Sequence, residues 1–133
     1  MIVDCHTHLY CPERGNVSQD HLDMCEKLDG CFVMAGLNAD RQTVNQDLAD
    51  YVAGNNKAYG FANINPVEDA VRPKTVKRTT VDRGFCGVVL YCSENNFHPA
   101  HSRAMQFYEA AQKLGLIVYF HNCPPYSPTA AMD

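Results

Sequence analysis

The chain has 133 residues, 46% of them hydrophobic and 20% charged, with a formal net charge of −4. A chain of this length and apolar content buries a real core, and residues 1–133 read as one domain. The acidic balance gives no footing for nucleic acid, and no apolar run reaches the ~20 residues that cross a bilayer. The start lacks the basic and long apolar regions of a secretory signal, so the expected compartment is the cytoplasm.

Seven cysteines (Cys5, Cys11, Cys25, Cys31, Cys86, Cys92 and Cys123) show no Cys-x-x-Cys spacing, which argues against a zinc ribbon or a thioredoxin-type motif. In a reducing compartment they act as small apolar residues. Cys123, two residues after His121, is a further candidate site thiol. Arg72, Lys74, Lys77, Arg78 and Arg83 form a basic cluster that reads as a solvated helix face.

In chain order, residues 2–8 read as a strand. Ser18 is a plausible N-cap for a helix carrying Leu22, Cys25 and Leu28 on one face, and Gly30 stops it. Residues 31–37 are a continuous apolar run of strand length. A second helix is expected from Asp40 to Asn55, then a strand over 58–65 closed by Pro66. The segment 68–82 takes a helical place in the order, although Pro73 interrupts it and Val76, Thr79, Thr80 and Val81 are poor helix formers. Residues 84–91 read as the fourth strand. Pro99 to Leu114 gives the clearest helix, with proline in the first turn and Gly115 as its left-handed stop. Residues 116–121 form the fifth strand, ending on His121, and the last twelve residues, with Pro124, Pro125 and Pro128, read as a loop or tail. Five βα repeats predict a parallel sheet with helical crossovers.

Asp4-Cys5-His6-Thr7-His8 places two imidazoles at i, i+2 and a carboxylate at i−2. On a regular strand all three point to one side. Neutral imidazoles are good ligands for zinc and related divalent ions. In parallel α/β folds ligands gather at the carboxyl ends of strands. His6 and His8 end the first strand and His121 ends the fifth, so the three can form a His₃ site with an open coordination position. Asp4, inward by parity, is expected to orient a histidine. Tyr91 and Asn95, on or after the fourth strand, are candidate substrate contacts. On its own, Tyr91 reads first as a buried core aromatic, and the loop Ser93 to His98 as a surface connection rather than a binding lid. His21 and His101 fall on helices away from the rim and are expected to face solvent.

Three stretches carry a family likeness: Ile2-Val3-Asp4-Cys5-His6-Thr7-His8, Gly84-Phe85-Cys86-Gly87-Val88-Val89-Leu90-Tyr91, and the run from Phe107 to His121. In order and spacing they resemble strands one, four and five of the amidohydrolase superfamily, in its amidohydrolase-related branch of metal-dependent hydrolases and nonoxidative decarboxylases. The resemblance implies a partial (β/α)₈ TIM barrel with about five βα units. It implies one divalent metal, zinc being the expected ion, on His6 and His8, with His121 binding the metal or the substrate. The implied activity is hydrolysis of an amide, lactone or similar carbonyl by metal-activated water. The alternative within the same family is a carbon–carbon lyase that removes carbon dioxide from an aromatic or unsaturated acid.

Two departures limit the transfer. Val89 and Tyr91 stand where the family's fourth strand commonly carries lysine or another polar group and then histidine, so a carbamylated-lysine bridge between two metals is not expected. The family's strand-eight aspartate has no counterpart, which leaves the catalytic base unassigned. Asp133 is not placed at the metal. Five strands leave two sheet edges unpaired, which predicts self-association or a partner that completes the barrel, with Ile2, Val89, Ile117 and Tyr119 exposed. The other readings are an inert fragment or interaction module, and a polymerase-and-histidinol-phosphatase type hydrolase, whose first strand also reads Asp-x-His-x-His.

Overall fold

A computed structural model of the chain describes residues 1–9, 19–37 and 40–121, and of 19–22 the backbone alone. The elements are β1 (Val3–His8), α1 (Gln19–Lys27), β2 (Gly30–Met34), α2 (Arg41–Gly54), β3 (Ala58–Asn63), α3 (Pro73–Thr79) with a 3₁₀ turn at Val81–Arg83, β4 (Gly87–Leu90), α4 (Ser102–Lys113) and β5 (Ile117–Phe120). All five strands are parallel and neighbour each other in sequence order. With no reversal of order, right-handed crossovers place every helix on the same face of the sheet.

Period-two alternation along the strands divides the core in two. Val33, Ala62, Val88 and Leu90 point to the helices and pack with Leu48 and Ala49 of α2, Val76 of α3 and Phe107, Ala110 and Ala111 of α4. Met34, Phe61, Val89 and Tyr91 point to the opposite face, where Phe32, Cys86 and Tyr119 join them. That second face is concave. In a flat five-stranded sheet β1 and β5 would lie about 19 Å apart, at about 4.8 Å per strand. Yet the His6 ring on β1 and the Tyr119 ring on β5 have centroids 5.2 Å apart. Such contact across the sheet requires it to curl, and the fold is α/β, a partial (β/α)₈ barrel of five βα units.

Helix ends follow local chemistry. Asp40 caps α2, its Oδ1 accepting from the Thr43 amide at 3.0 Å. Asn45 of α2 clamps the end of β3 from both sides: its Nδ2 donates to Asn63 O at 2.9 Å and its Oδ1 accepts from Asn63 N at 2.7 Å. Lys57 Nζ donates to the Glu26 and Leu28 carbonyls, satisfying the carboxyl end of α1. Gly115 follows α4 at φ 66, the left-handed stop expected there.

Several boundaries shift. β2 and β3 end three and two residues short of the apolar runs, because residues such as Ala35 and Ile64 continue the core after the ladder has stopped, while β4 and β5 end one residue short. Pro73 does not interrupt a helix but starts one, at N1, where its missing amide hydrogen costs nothing. Pro99 lies before α4 rather than in its first turn; His101 is the N-cap, with Nδ1 accepting from Arg103 N at 3.2 Å. His101 is therefore a capping group and not a solvent-facing helix residue. Of the exposed apolar residues expected, Ile2 and Ile117 are 66% and 49% exposed, whereas Val89 is fully buried beneath its concave-face neighbours. Lys77 pairs with Asp82 and Arg83 with Gln46, which accounts for part of the basic cluster on the surface. Ser18, the side chains of His21 and Leu22, Cys11, Cys123, Pro124, Pro125, Pro128 and Asp133 lie outside the described residues. Among the described residues no helix is long and apolar enough to cross a membrane.

Candidate metal centre

β1 does not run straight into the site. Asp4 pairs with Cys31 and His8 with Met34, so four steps on β1 match three on β2 and a bulge lies between Asp4 and Thr7. Cys31 belongs to the helix-side core and Met34 to the concave face. Paired residues of a parallel ladder share a face, so the bulge puts Asp4 on the side opposite His8. Regular alternation had all three residues inward; the extra residue reverses the parity of Asp4 alone. Its Oδ1 accepts from the His6 amide at 2.9 Å, which holds the bulge closed. Asp4 thus acts on the backbone of the histidine strand and not on an imidazole ring.

The structure brings His6, His8 and His121 together. One ligand atom from each lies within 4.8 Å of the others. The ring centroids are 4.9 Å (His6–His8), 5.1 Å (His6–His121) and 5.4 Å (His8–His121) apart. His6 Nε2 and His8 Nε2 approach to 2.9 Å. Two nitrogens sharing a tetrahedral zinc at about 2.0–2.1 Å stand about 3.4 Å apart, so a small separation of the rings suits the ion. The donor set, three imidazoles from two strand ends, fits a zinc site with room for further ligands.

Electrostatics favour the ligand form. Burial pushes the pKa of His8 down to about 4, and the neighbouring His6 and His121 rings push the same way. His121 is also lowered, by burial first, against an opposing pull from the Glu94 carboxylate. His8 is therefore neutral at physiological pH, as a metal ligand must be.

Each ring has a polar group from elsewhere in the chain near its Nδ1. Tyr91 Oη lies 3.4 Å from His8 Nδ1 and donates to the Ala35 carbonyl at 2.8 Å. Tyr119 Oη lies 3.2 Å from His6 Nδ1. Glu94 Oε1 lies 3.9 Å from His121 Nδ1, a buried nitrogen with no hydrogen-bond partner. Tyr91 is 1% exposed, and burial together with the Glu94 charge raises its hydroxyl pKa. Asn95 donates its backbone N–H to Tyr91 O at 2.9 Å, and its side-chain Nδ2 is buried without a partner.

Glu94, Tyr119 and Asn63 escaped the sequence reading. Glu94 is the acidic residue of the loop after β4, a visible signal once that loop is placed at the rim. Tyr119 had none, because a tyrosine in the run Ile117–Phe120 looks like any strand aromatic. Asn63 ends β3, donates Nδ2 to Gly36 O at 3.0 Å and leaves Oδ1 buried and unpaired. A polar residue closing an otherwise apolar strand was its signal. Away from the rim, a cavity of about 320 Å³ opens among Arg41, Asn45, Asp69, Thr79 and Phe107 on the helix side. Arg41 there pairs with Glu68 and Asp69, and Arg83, also on the lining, donates to the Gln46 side chain.

No family model matches the sequence, and no curated protein matches it. The fold does have solved counterparts. The 2,6-dihydroxybenzoate decarboxylase from Rhizobium aligns over 97% of this chain and 52% of its own, with a TM-score of 0.71 at 16% identity. An amidohydrolase II structure aligns over 98% and 54%, with a TM-score of 0.71 at 18% identity. The 5-carboxyvanillate decarboxylase from Sphingomonas paucimobilis aligns over 83% and 37%, with a TM-score of 0.65 at 19% identity. The chain spans about half or less of the length of these structures, and at such identities the likeness is one of fold: that of amidohydrolase-fold decarboxylases and amidohydrolases.

Proposed function

We propose that this chain carries the metal-holding part of an amidohydrolase-related enzyme, with His6, His8 and His121 binding one divalent ion, zinc in the first instance. The observation that carries this reading is the meeting of three imidazoles, two from the end of β1 and one from the end of β5, at one rim of a curled parallel sheet. When bound, such an ion supplies Lewis acidity and lowers the pKa of coordinated water. The chain's own groups do the rest. His8, neutral through burial, keeps a lone pair available. Glu94 offers a carboxylate beside His121, and Asn63 and Asn95 each present a buried, unpaired amide atom.

The substrate is a small organic molecule with a carbonyl or carboxylate. Hydrolysis of an amide or lactone is the first reading. Decarboxylation of an aromatic acid is the second, favoured by two solved counterparts being decarboxylases of aromatic acids. Completion of the site by further strands or another subunit belongs to the same proposal, since the outer edges of β1 and β5 lack strand partners among the described residues. Cys5, Cys25, Cys31, Cys86 and Cys92 form no disulfide among the described residues, which suits a reducing compartment such as the cytoplasm.

Metal analysis tests the proposal. Purified protein dialysed against zinc should retain about one ion per chain, and the His6→Ala/His8→Ala variant should retain none. Equal zinc in the two would overturn the site. Carbon dioxide release from dihydroxybenzoates, set against hydrolysis of simple lactones and amides by the loaded protein, separates the two chemistries.

A further inference from the structure

The hydroxyls around the histidines have only one consistent arrangement of hydrogens. Tyr91 has a single hydroxyl hydrogen, and the Ala35 carbonyl, 2.8 Å away, can only accept it. Toward His8 Nδ1 the same oxygen must then act as acceptor, so His8 carries its hydrogen on Nδ1. His8 Nε2 is left with a lone pair, and the 2.9 Å contact with His6 Nε2 requires His6 to be the donor there. His6 Nδ1 is then an acceptor, and Tyr119 Oη donates to it at 3.2 Å. A one-way chain runs Tyr119 to His6 to His8 to Tyr91 to Ala35. It links β5, β1 and the residue after β4 to the segment after β2.

We propose that Tyr91 and Tyr119 are positioning residues for the two β1 imidazoles and that they act differently: Tyr91 is a fixed acceptor that locks His8 as the Nδ1–H tautomer, whereas Tyr119 is a reversible partner of His6. This rests on the metal-centre reading above. Fixing the tautomer leaves His8 Nε2 with its lone pair toward His6 before any ion arrives. His6 is preset the other way. To offer its own Nε2 lone pair it must move its one hydrogen to Nδ1, exchanging through solvent, and Tyr119 must rotate its hydroxyl from donor to acceptor. No net proton is gained or lost. The asymmetry comes from Ala35: a carbonyl pins the hydroxyl of Tyr91, while the described structure shows no acceptor other than His6 for that of Tyr119.

The test uses the whole chain labelled with ¹⁵N-histidine, at a pH where the rings are neutral, with long-range ¹H–¹⁵N correlation spectra that distinguish the tautomers. Metal-free protein should show His8 as Nδ1–H and His6 as Nε2–H. Zinc should move His6 to the Nδ1–H pattern and leave the His8 hydrogen in place. Tyr119→Phe should weaken the Nε2–H preference of His6, which the His8 lone pair still favours, and shift the His6 ring signals alone; Tyr91→Phe should release the preference of His8 and with it that of His6, and weaken zinc binding about tenfold or more. Should buried Tyr91 not tolerate substitution, Tyr119→Phe, at a part-exposed edge, still decides. His8 as the Nε2–H tautomer in metal-free protein, or a Tyr119→Phe spectrum identical to wild type, overturns the proposal. If the metal-free pattern and its response to Tyr119→Phe hold but zinc does not bind, the tyrosines keep their role and the metal reading falls. Tight zinc binding with the wrong tautomers leaves the metal site standing and removes the role of the tyrosines.

Discussion

β4 and β5 lie side by side and are almost equally apolar, Gly-Val-Val-Leu against Ile-Val-Tyr-Phe, yet every residue of β4 is buried while both ends of β5 are exposed. The difference lies in what stands on each side of the strand. β4 has ladder partners on both edges and side chains covering both faces; among the described residues β5 has one partner strand. β1, at the other end of the sheet, is in the same position. The centre of the molecule supplies its stability, and the two edges supply the histidines. The candidate site sits where packing is least complete, so it can be altered with less risk to the fold than a site in the core.

The sharpest way to break that contrast is a pair of truncations. Phe107→Ala, at 1% exposure under the sheet, should cost about 3–5 kcal/mol, whereas Ile117→Ala, at 49% exposure on β5, should stay within about 1 kcal/mol. Chemical denaturation of both variants measures this, and equal losses would mean the edge is packed after all. Next in size is the response to zinc: Glu94→Gln should weaken binding about tenfold by removing the charge beside His121, as read by competition with a metallochromic dye.

A pH effect follows from His8. Its folded pKa of about 4 lies below the ordinary 6.5, so the unfolded chain takes up the proton first. Its contribution to the stability of metal-free protein should be full above pH 6.5 and be lost as the pH falls toward 4; His121, lowered too, adds in the same direction. Denaturation midpoints across that range should slope downward with acid, and His8→Asn should flatten the slope. The smallest effect on stability is expected from Ile117→Lys, within about 0.5 kcal/mol, with a large change in association. If exposed β1 and β5 edges drive self-association, light scattering should find the variant more monomeric than wild type; a wild-type chain already monomeric at high concentration would remove the premise.

The sequence was sufficient wherever a feature depends on neighbours a few residues away. The alternation of strands and helices, the Gly115 stop and the His-x-His at the end of β1 are all local, and hydrophobic period and capping chemistry determine them. The placement of His121 at the same rim followed from topology, because parallel strands point their carboxyl ends the same way. Only tertiary structure decided the bulge that turns Asp4 to the opposite face, since register belongs to a pair of strands and a single strand does not contain it. The same holds for Tyr91 at His8, 83 residues away, and Tyr119 at His6, 113 residues away. A hydrogen bond is decided by a few tenths of an ångström between groups whose separation along the chain carries no signal, and curling the sheet is what brings them within reach.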